Sequence, residues 1–224
     1  MKALRERINR FGYRNRLEKR HYDEKYFTRT KLEGPPVSVP YMRFLLSSVL
    51  KNASFLLDAG CGTGECISLA KEYGKDAVGI DVSPFAARKS RQILGNILNM
   101  PFRDEIFDGV MAFEVIEHLA LNDAICFLRE CHRVLESRGL LVLSTPNWLP
   151  RFSLWLHGNT DLTHKVYYNP VSIMRTLRQC GFDKVQLTSF MGLRLRSKVS
   201  FGEMSVSTLF GLGMIVVCRK SKSC

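Results

Sequence analysis

Residues 56–65 read LLDAGCGTGE: two leucines, an acidic residue, three glycines at alternate positions and a second acidic residue. An apolar run that breaks into alternating glycines is a strand giving way to a loop whose bare backbone can approach a ligand closely. The pattern on either side supports this. Residues 54–59 (SFLLDA) predict a short buried strand, 64–73 (GECISLAKEY) a helix, 76–81 (DAVGID) a second strand, and 84–92 (PFAARKSRQ) a second helix. A weak third strand at 93–98 (ILGNIL) follows, then a strong one at 107–113 (FDGVMAF), an amphipathic helix over 122–136, and a strand over 139–145 opened by Gly139. Strands separated by helices imply an α/β chain with a mostly parallel sheet and helices on both faces.

Beyond this core, 145–169 reads as a long aromatic excursion. A helix over about 170–180 closes at Gly181, a strand runs over 183–190, and GMIVVCRK (213–220) forms the last strand, the seventh. At the other end, 1–34 is basic and helical in pattern until Pro35 and Pro36 stop it, and a second helix is expected over about 40–50. The chain thus divides into an N-terminal helical extension or lid, 1–50, and an α/β domain, 51–224.

A chain of 224 residues, 46% hydrophobic and 24% charged, has the composition of a globular protein, not of a disordered or fibrous one. Its first residues are too charged for a signal-peptide core, and LFGLGMIVVC (209–218) is about half of a membrane span, so a cytoplasmic protein is expected. Seven cysteines with no CxxC pair suggest reduced, packed thiols. The net charge is +12, and residues 1–34 hold eleven Lys or Arg against five Asp or Glu. That favours an anionic partner such as nucleic acid, an anionic membrane surface or a phosphorylated substrate, with a merely solvated basic helix as the alternative.

The glycine spacing narrows the ligand. A dinucleotide fingerprint needs glycines at relative positions 1, 3 and 6; here Gly60, Gly62 and Gly64 stand at 1, 3 and 5, and Glu65 occupies position 6. A carboxylate at that helix N-terminus would repel a pyrophosphate. No Lys-Ser or Lys-Thr follows, so a P-loop fails as well. Asp58 and Glu65 suit a ligand with positive charge and no phosphate, and Asp81, about 20 residues after the first glycine, is placed to accept from both hydroxyls of a ribose. S-adenosylmethionine meets these requirements.

Five ordered segments, LLDAGCGTGE, GIDVSP, NILNMPFRDEIFDGVMAFEVIEHL, FLRECHRVLESRGLLVLSTPN and HKVYYNPVSIMRTLRQCGF, make residues 52–190 resemble the class I S-adenosylmethionine-dependent methyltransferases. The resemblance implies a Rossmann-like, doubly wound sheet. It also implies that Gly60, Cys61, Gly62 and Gly64 hold the methionine end of the cofactor, that Asp58 orients its ammonium, and that Asp81, with Val82 beside it, takes the ribose. Asn96, next to Ile97, stands where the family often has an aspartate for the adenine amino group, and Glu114 lies at the floor of the site.

A sulfonium leaves readily, so catalysis is chiefly alignment and exclusion of water, with a base or metal needed for a hydroxyl acceptor. In EVIEHL, a helix starting just after the strand would put Glu114 and Glu117 or His118 on one face. His118 and Glu117 are the candidate catalytic groups, with His164 of the excursion as a further ligand or substrate contact. The ExxEH arrangement is similar to that of the ubiquinone-pathway O-methyltransferases and the small-RNA 3′-terminal 2′-O-methyltransferases, both associated with a divalent metal. Magnesium or manganese is therefore one expectation, beside a metal-free base and a purely structural helix start. Trp148, Phe152, Trp155, Tyr167 and Tyr168 could cover a planar acceptor or pack a lid.

The leading expectation is O-methylation of a small-molecule acceptor: a quinone-type precursor, a sugar or a lipid-linked saccharide. RNA methylation of the 2′-O type and a non-catalytic S-adenosylmethionine-binding module are the alternatives. The oligomeric state, monomer or homodimer, stays open.

Overall fold

The computed structural model describes residues 22–33, 39–148, 163–190, 197–199 and 213–221. Among the described residues eight strands form one sheet: β1 (Phe55–Ala59), β2 (Asp76–Asp81), β3 (Ile93–Leu94), β4 (Phe107–Phe113), β5 (Leu135–Pro146), β6 (Phe182–Phe190), β7 (Ser197–Val199) and β8 (Gly213–Lys220). Their order is β3-β2-β1-β4-β5-β8-β6-β7. The first five run parallel, and β8 lies antiparallel between β5 and β6. The expected seven strands form the doubly wound sheet, and the three-residue β7 extends its edge.

The order reverses between β1 and β4, so the loops leaving these two strands diverge and open a crevice at their carboxyl ends. The loop after β1 carries the glycines. The loop after β4 carries EVIEH.

Six helices are described: α1 (Glu24–Glu33), α2 (Val39–Phe44), α3 (Glu65–Glu72), α4 (Pro84–Ser90), α5 (Leu121–Val134) and α6 (Pro170–Gln179). The period-2 alternation of the strands sorts their side chains onto two cores. Leu57, Ala59, Val110, Ala112, Leu141 and Leu143 pack with α5 and α6 on one face. Leu56, Met111, Phe113 and Val142 pack with Met42, Leu45, Leu46, Leu69 and Ala70 on the other. Each fully buried large aliphatic contributes about 2 kcal/mol, so both faces are closed mainly by apolar burial.

Several boundaries depart from the sequence pattern. Strand β5 begins at Leu135, four residues before Gly139, because Leu135 is fully buried and pairs with Phe107 ahead of an irregularity in the ladder. Strand β3 shrinks to two residues: Gly95 N–H turns back to the Asp81 carbonyl, and Asn96 Oδ1 then accepts from Leu98 N–H, so a side chain takes the place of a strand partner. The helix expected over 40–50 stops at Phe44 and widens into a π-turn, Leu45–Val49, with Leu45, Leu46 and Leu50 all buried. Residues 1–21 of the expected basic helix, and Phe152 and Trp155 of the excursion, lie outside the described residues. Among the described residues no helix is long and apolar enough to cross a membrane.

Candidate functional site

The loop after β1 is built for close approach. Gly60 has φ +81°, and a Cβ there would lie 2.6 Å from Cγ2 of Val115, the residue two past the end of β4. Gly62 has φ +49°, and a Cβ there would lie 3.3 Å from the Phe27 ring. Residues with side chains are excluded at the first position by backbone and by contact, and are crowded at the second. Cys61 lies between them with its thiol buried beneath the loop against Gly79, and burial pushes that thiol far up. Any ligand contact at Cys61 would therefore come from its main chain.

Two aspartates frame this loop. Asp81, at the end of β2, accepts from Gly62 N–H at 2.9 Å and from Ser83 N–H at 2.7 Å, so it shapes the loop while retaining acceptor capacity. Val82 beside it is half-buried. Asp58, on β1, is buried, and its Oδ2 has no hydrogen-bond partner among the described residues. Burial, followed by the charges of Asp81 and Glu65, pushes it up to about 7. An orphaned buried carboxylate oxygen above a bare glycine loop fits an ammonium-bearing ligand. Asn96 and Ile97 lie after β3. Asn96 shapes its own turn through Leu98, and half-buried Ile97 packs against the core.

The second half of the site leaves β4. No α-helix starts here: Glu114 takes φ +53°, and a single 3-10 turn, Ile116–His118, follows. Even so, Glu114 and Glu117 meet, because the left-handed residue turns the chain back on itself. Glu114 Oε1 accepts from the Ser144 hydroxyl at 2.8 Å, and Glu117 Oε2 from the Thr145 hydroxyl at 3.1 Å. Burial first, then the charge and hydrogen bond of Glu114, hold Glu117 well above the usual carboxylate range. Its Oε1 is buried with no hydrogen-bond partner among the described residues.

The segment before α6 folds over this turn. Lys165 and Val166 N–H groups donate to the Glu117 carbonyl at 2.8 and 3.1 Å, which brings His164 within 4.9 Å of His118, ring centre to ring centre. Glu117, His118 and His164 each offer a donor atom, all within 4.8 Å of one another. A buried carboxyl and two imidazoles are a set that suits a divalent transition ion. The three sequence candidates for catalysis are thus brought together.

Residues 22–27, within the segment 1–50 expected as an extension or lid, stand over the glycine loop, although no residue of that segment was a site candidate. The Tyr22 carbonyl accepts from the Ser83 hydroxyl, and the Tyr22 ring meets His118 edge-on at 6.0 Å. Tyr26 stands between Tyr22 and Phe27, and Phe27 stacks on Phe85 at 5.9 Å while covering Gly62. Nothing local in residues 22–27, YDEKYF, says that this stretch returns to the glycine loop. Also missed was Arg133, whose guanidinium grips Glu130, Asp104 and the carbonyls of Met100 and Phe102, fixing the segment after Asn96.

Residues 57–143, which contain both halves of the crevice, match a family described as a methyltransferase domain. That stretch is a methyltransferase domain, and the chain is similar to S-adenosylmethionine-dependent methyltransferases. It is 33% identical over 149 residues to a probable S-adenosylmethionine-dependent methyltransferase of Mycobacterium tuberculosis, a match covering 63% of this chain and 53% of that protein. It is 36% identical over 107 residues to norajmaline N-methyltransferase of Rauvolfia serpentina, covering 42% and 36% of the two chains. The crystal structure of a SAM-dependent methyltransferase from Archaeoglobus fulgidus shares the fold of the methyltransferase domain, with a TM-score of 0.69 at 22% identity over 88% of this chain and 100% of that one. The chain spans about half the length of the first curated relatives it matches.

Proposed function

We propose that this protein transfers the methyl group of S-adenosylmethionine to an oxygen of a small-molecule acceptor. The observation that carries the reading is the junction of the two loops: Val115 closes on Gly60, so the turn bearing Glu117 and His118 abuts the loop assigned to the cofactor. In this reading Asp58 receives the ammonium and Asp81 the ribose, while Glu114 lines the floor. The roof of Tyr22, Tyr26 and Phe27 excludes water and holds the acceptor in line with the methyl group. His118 takes the proton of the acceptor hydroxyl, and the neutral sulfide of S-adenosylhomocysteine departs.

Glu117, His118 and His164 are also the residues that would hold a divalent cation. Two imidazoles favour manganese over magnesium. Bound there, such an ion would supply Lewis acidity to an acceptor oxygen.

The exposed rings of Trp148 and Tyr167 support a planar or apolar acceptor, such as a quinone-type precursor or the lipid of a lipid-linked saccharide. The N-methyltransferase relative makes a nitrogen acceptor the nearest competitor. A second reading, 2′-O-methylation of RNA, is supported by the net charge of +12 together with the same Glu-His-His set.

The test is label transfer from methyl-labelled S-adenosylmethionine to hydroxylated quinol precursors, sugars, lipid-linked saccharides, amines and RNA, with and without manganese. Labelled quinol or saccharide is the expected result. Label confined to amines or RNA would overturn the oxygen, small-molecule reading, and cofactor binding without transfer to any acceptor would make the protein a binding module.

A further inference from the structure

Two oxygen atoms of one residue surround a single nitrogen of His118. Thr163 Oγ1 lies 3.0 Å from Nδ1, and the Thr163 carbonyl oxygen lies 3.3 Å from it. A carbonyl oxygen can only accept. For that contact to be a hydrogen bond the proton must sit on Nδ1, and the hydroxyl oxygen then accepts a share of the same proton. We propose that Thr163 is a positioning residue that fixes His118 as the Nδ1–H tautomer and so keeps the imidazole lone pair on Nε2.

The arrangement is held from several sides. Glu117, the residue before His118, anchors Lys165 and Val166 through its carbonyl, so the segment carrying Thr163 cannot drift from the turn carrying His118. The His118 ring is then flanked edge-to-face by His164 at 4.9 Å and by Tyr22 at 6.0 Å, which restricts rotation about its χ angles. A free imidazole prefers its proton on Nε2, so a preference for Nδ1–H must come from the surroundings. Thr163 supplies it with two acceptors where one would satisfy the bond.

The consequence rests on the reading of His118 as base or ligand. Either role needs an unprotonated nitrogen, and a residue that selects the tautomer controls whether Nε2 offers one. Removing the Thr163 hydroxyl leaves the carbonyl in place, so the preference should weaken without disappearing.

The experiment is long-range nitrogen–proton correlation NMR of the full chain labelled with 15N-histidine, in alkaline buffer and saturated with S-adenosylhomocysteine, with His118 assigned by its loss in His118→Gln. The wild-type spectrum should show Nδ1 protonated and Nε2 as the deshielded, lone-pair nitrogen. Thr163→Val should move both signals towards averaged values, and Thr163→Ser should restore the wild-type pattern. Thr163→Ala serves if the valine variant melts early. A His118 protonated on Nε2 in the wild type, or a pattern unchanged in a folded valine or alanine variant, would overturn the proposal. The spectrum reports the tautomer whether or not any acceptor is methylated, so its failure is separate from failure of the methyl-transfer reading.

Discussion

Val115 closes on Gly60: a methyl group added at Gly60 would sit 2.6 Å from Val115 Cγ2, at a residue whose φ is +81°. The loop after β1 and the loop after β4 thus meet at the point where the strand order reverses. Gly60→Ala must adopt a left-handed backbone, at about 1–2 kcal/mol, and must also displace Val115. The expected outcome is a lower melting temperature together with loss of S-adenosylhomocysteine binding. A folded variant that binds normally would show that the two loops are not one site.

Asp58 should make both stability and binding depend on pH. Burial pushes it up to about 7 in the free protein, with Asp81 and Glu65 adding to the effect. A carboxyl raised in the folded state favours folding while it is protonated, and that contribution is lost as pH rises through its folded value. The Asp58 contribution to the stability of the ligand-free protein should therefore fall between about pH 4 and pH 7, by at most roughly 1.4 kcal/mol per unit. A ligand ammonium at Oδ2 lowers Asp58 again, so S-adenosylhomocysteine should bind more tightly as pH rises over about 5 to 8, releasing a proton. Calorimetry in two buffers of different ionisation enthalpy measures this release, and Asp58→Asn should abolish it.

Phe27 covers Gly62 and stacks on Phe85. Phe27→Ala should weaken S-adenosylhomocysteine binding roughly fivefold, the equivalent of about 1 kcal/mol for one aromatic contact, chiefly through faster dissociation. Stopped-flow displacement measures the rate. An unchanged off-rate would mean that the segment 22–27 is not a roof over the ligand.

His118→Gln should separate binding from chemistry. If His118 faces the acceptor as proposed, cofactor affinity should stay within about twofold while methyl transfer falls by roughly 100-fold or more. Titration and label transfer on the same preparation check the two halves of the statement.

Much of the fold was legible because its signals are local. LLDAGC, DAVGID and FDGVMAF are short apolar runs bounded by turns, and each marks a strand of the parallel sheet. Where a side chain competes with the ladder, as Asn96 does, or where a buried residue such as Leu135 extends a strand past a weak pattern, the boundaries moved. Clustering of Glu117, His118 and His164 followed from candidates chosen for their chemistry. The individual contacts of Tyr22 and Thr163 did not, because they act at long range: Tyr22 meets Ser83 across 61 residues, and Thr163 meets His118 across 45. Hydrogen bonds of that separation leave no periodic trace in a single sequence.

The most direct test of the central claim is calorimetric titration of the purified full chain with S-adenosylhomocysteine, with and without manganese, beside the Asp81→Ala variant. Saturable one-site binding by the wild type in the absence of metal, lost in Asp81→Ala, is the predicted result. No binding under any condition, or equal binding by Asp81→Ala, would contradict the assignment of the crevice between β1 and β4 to the cofactor.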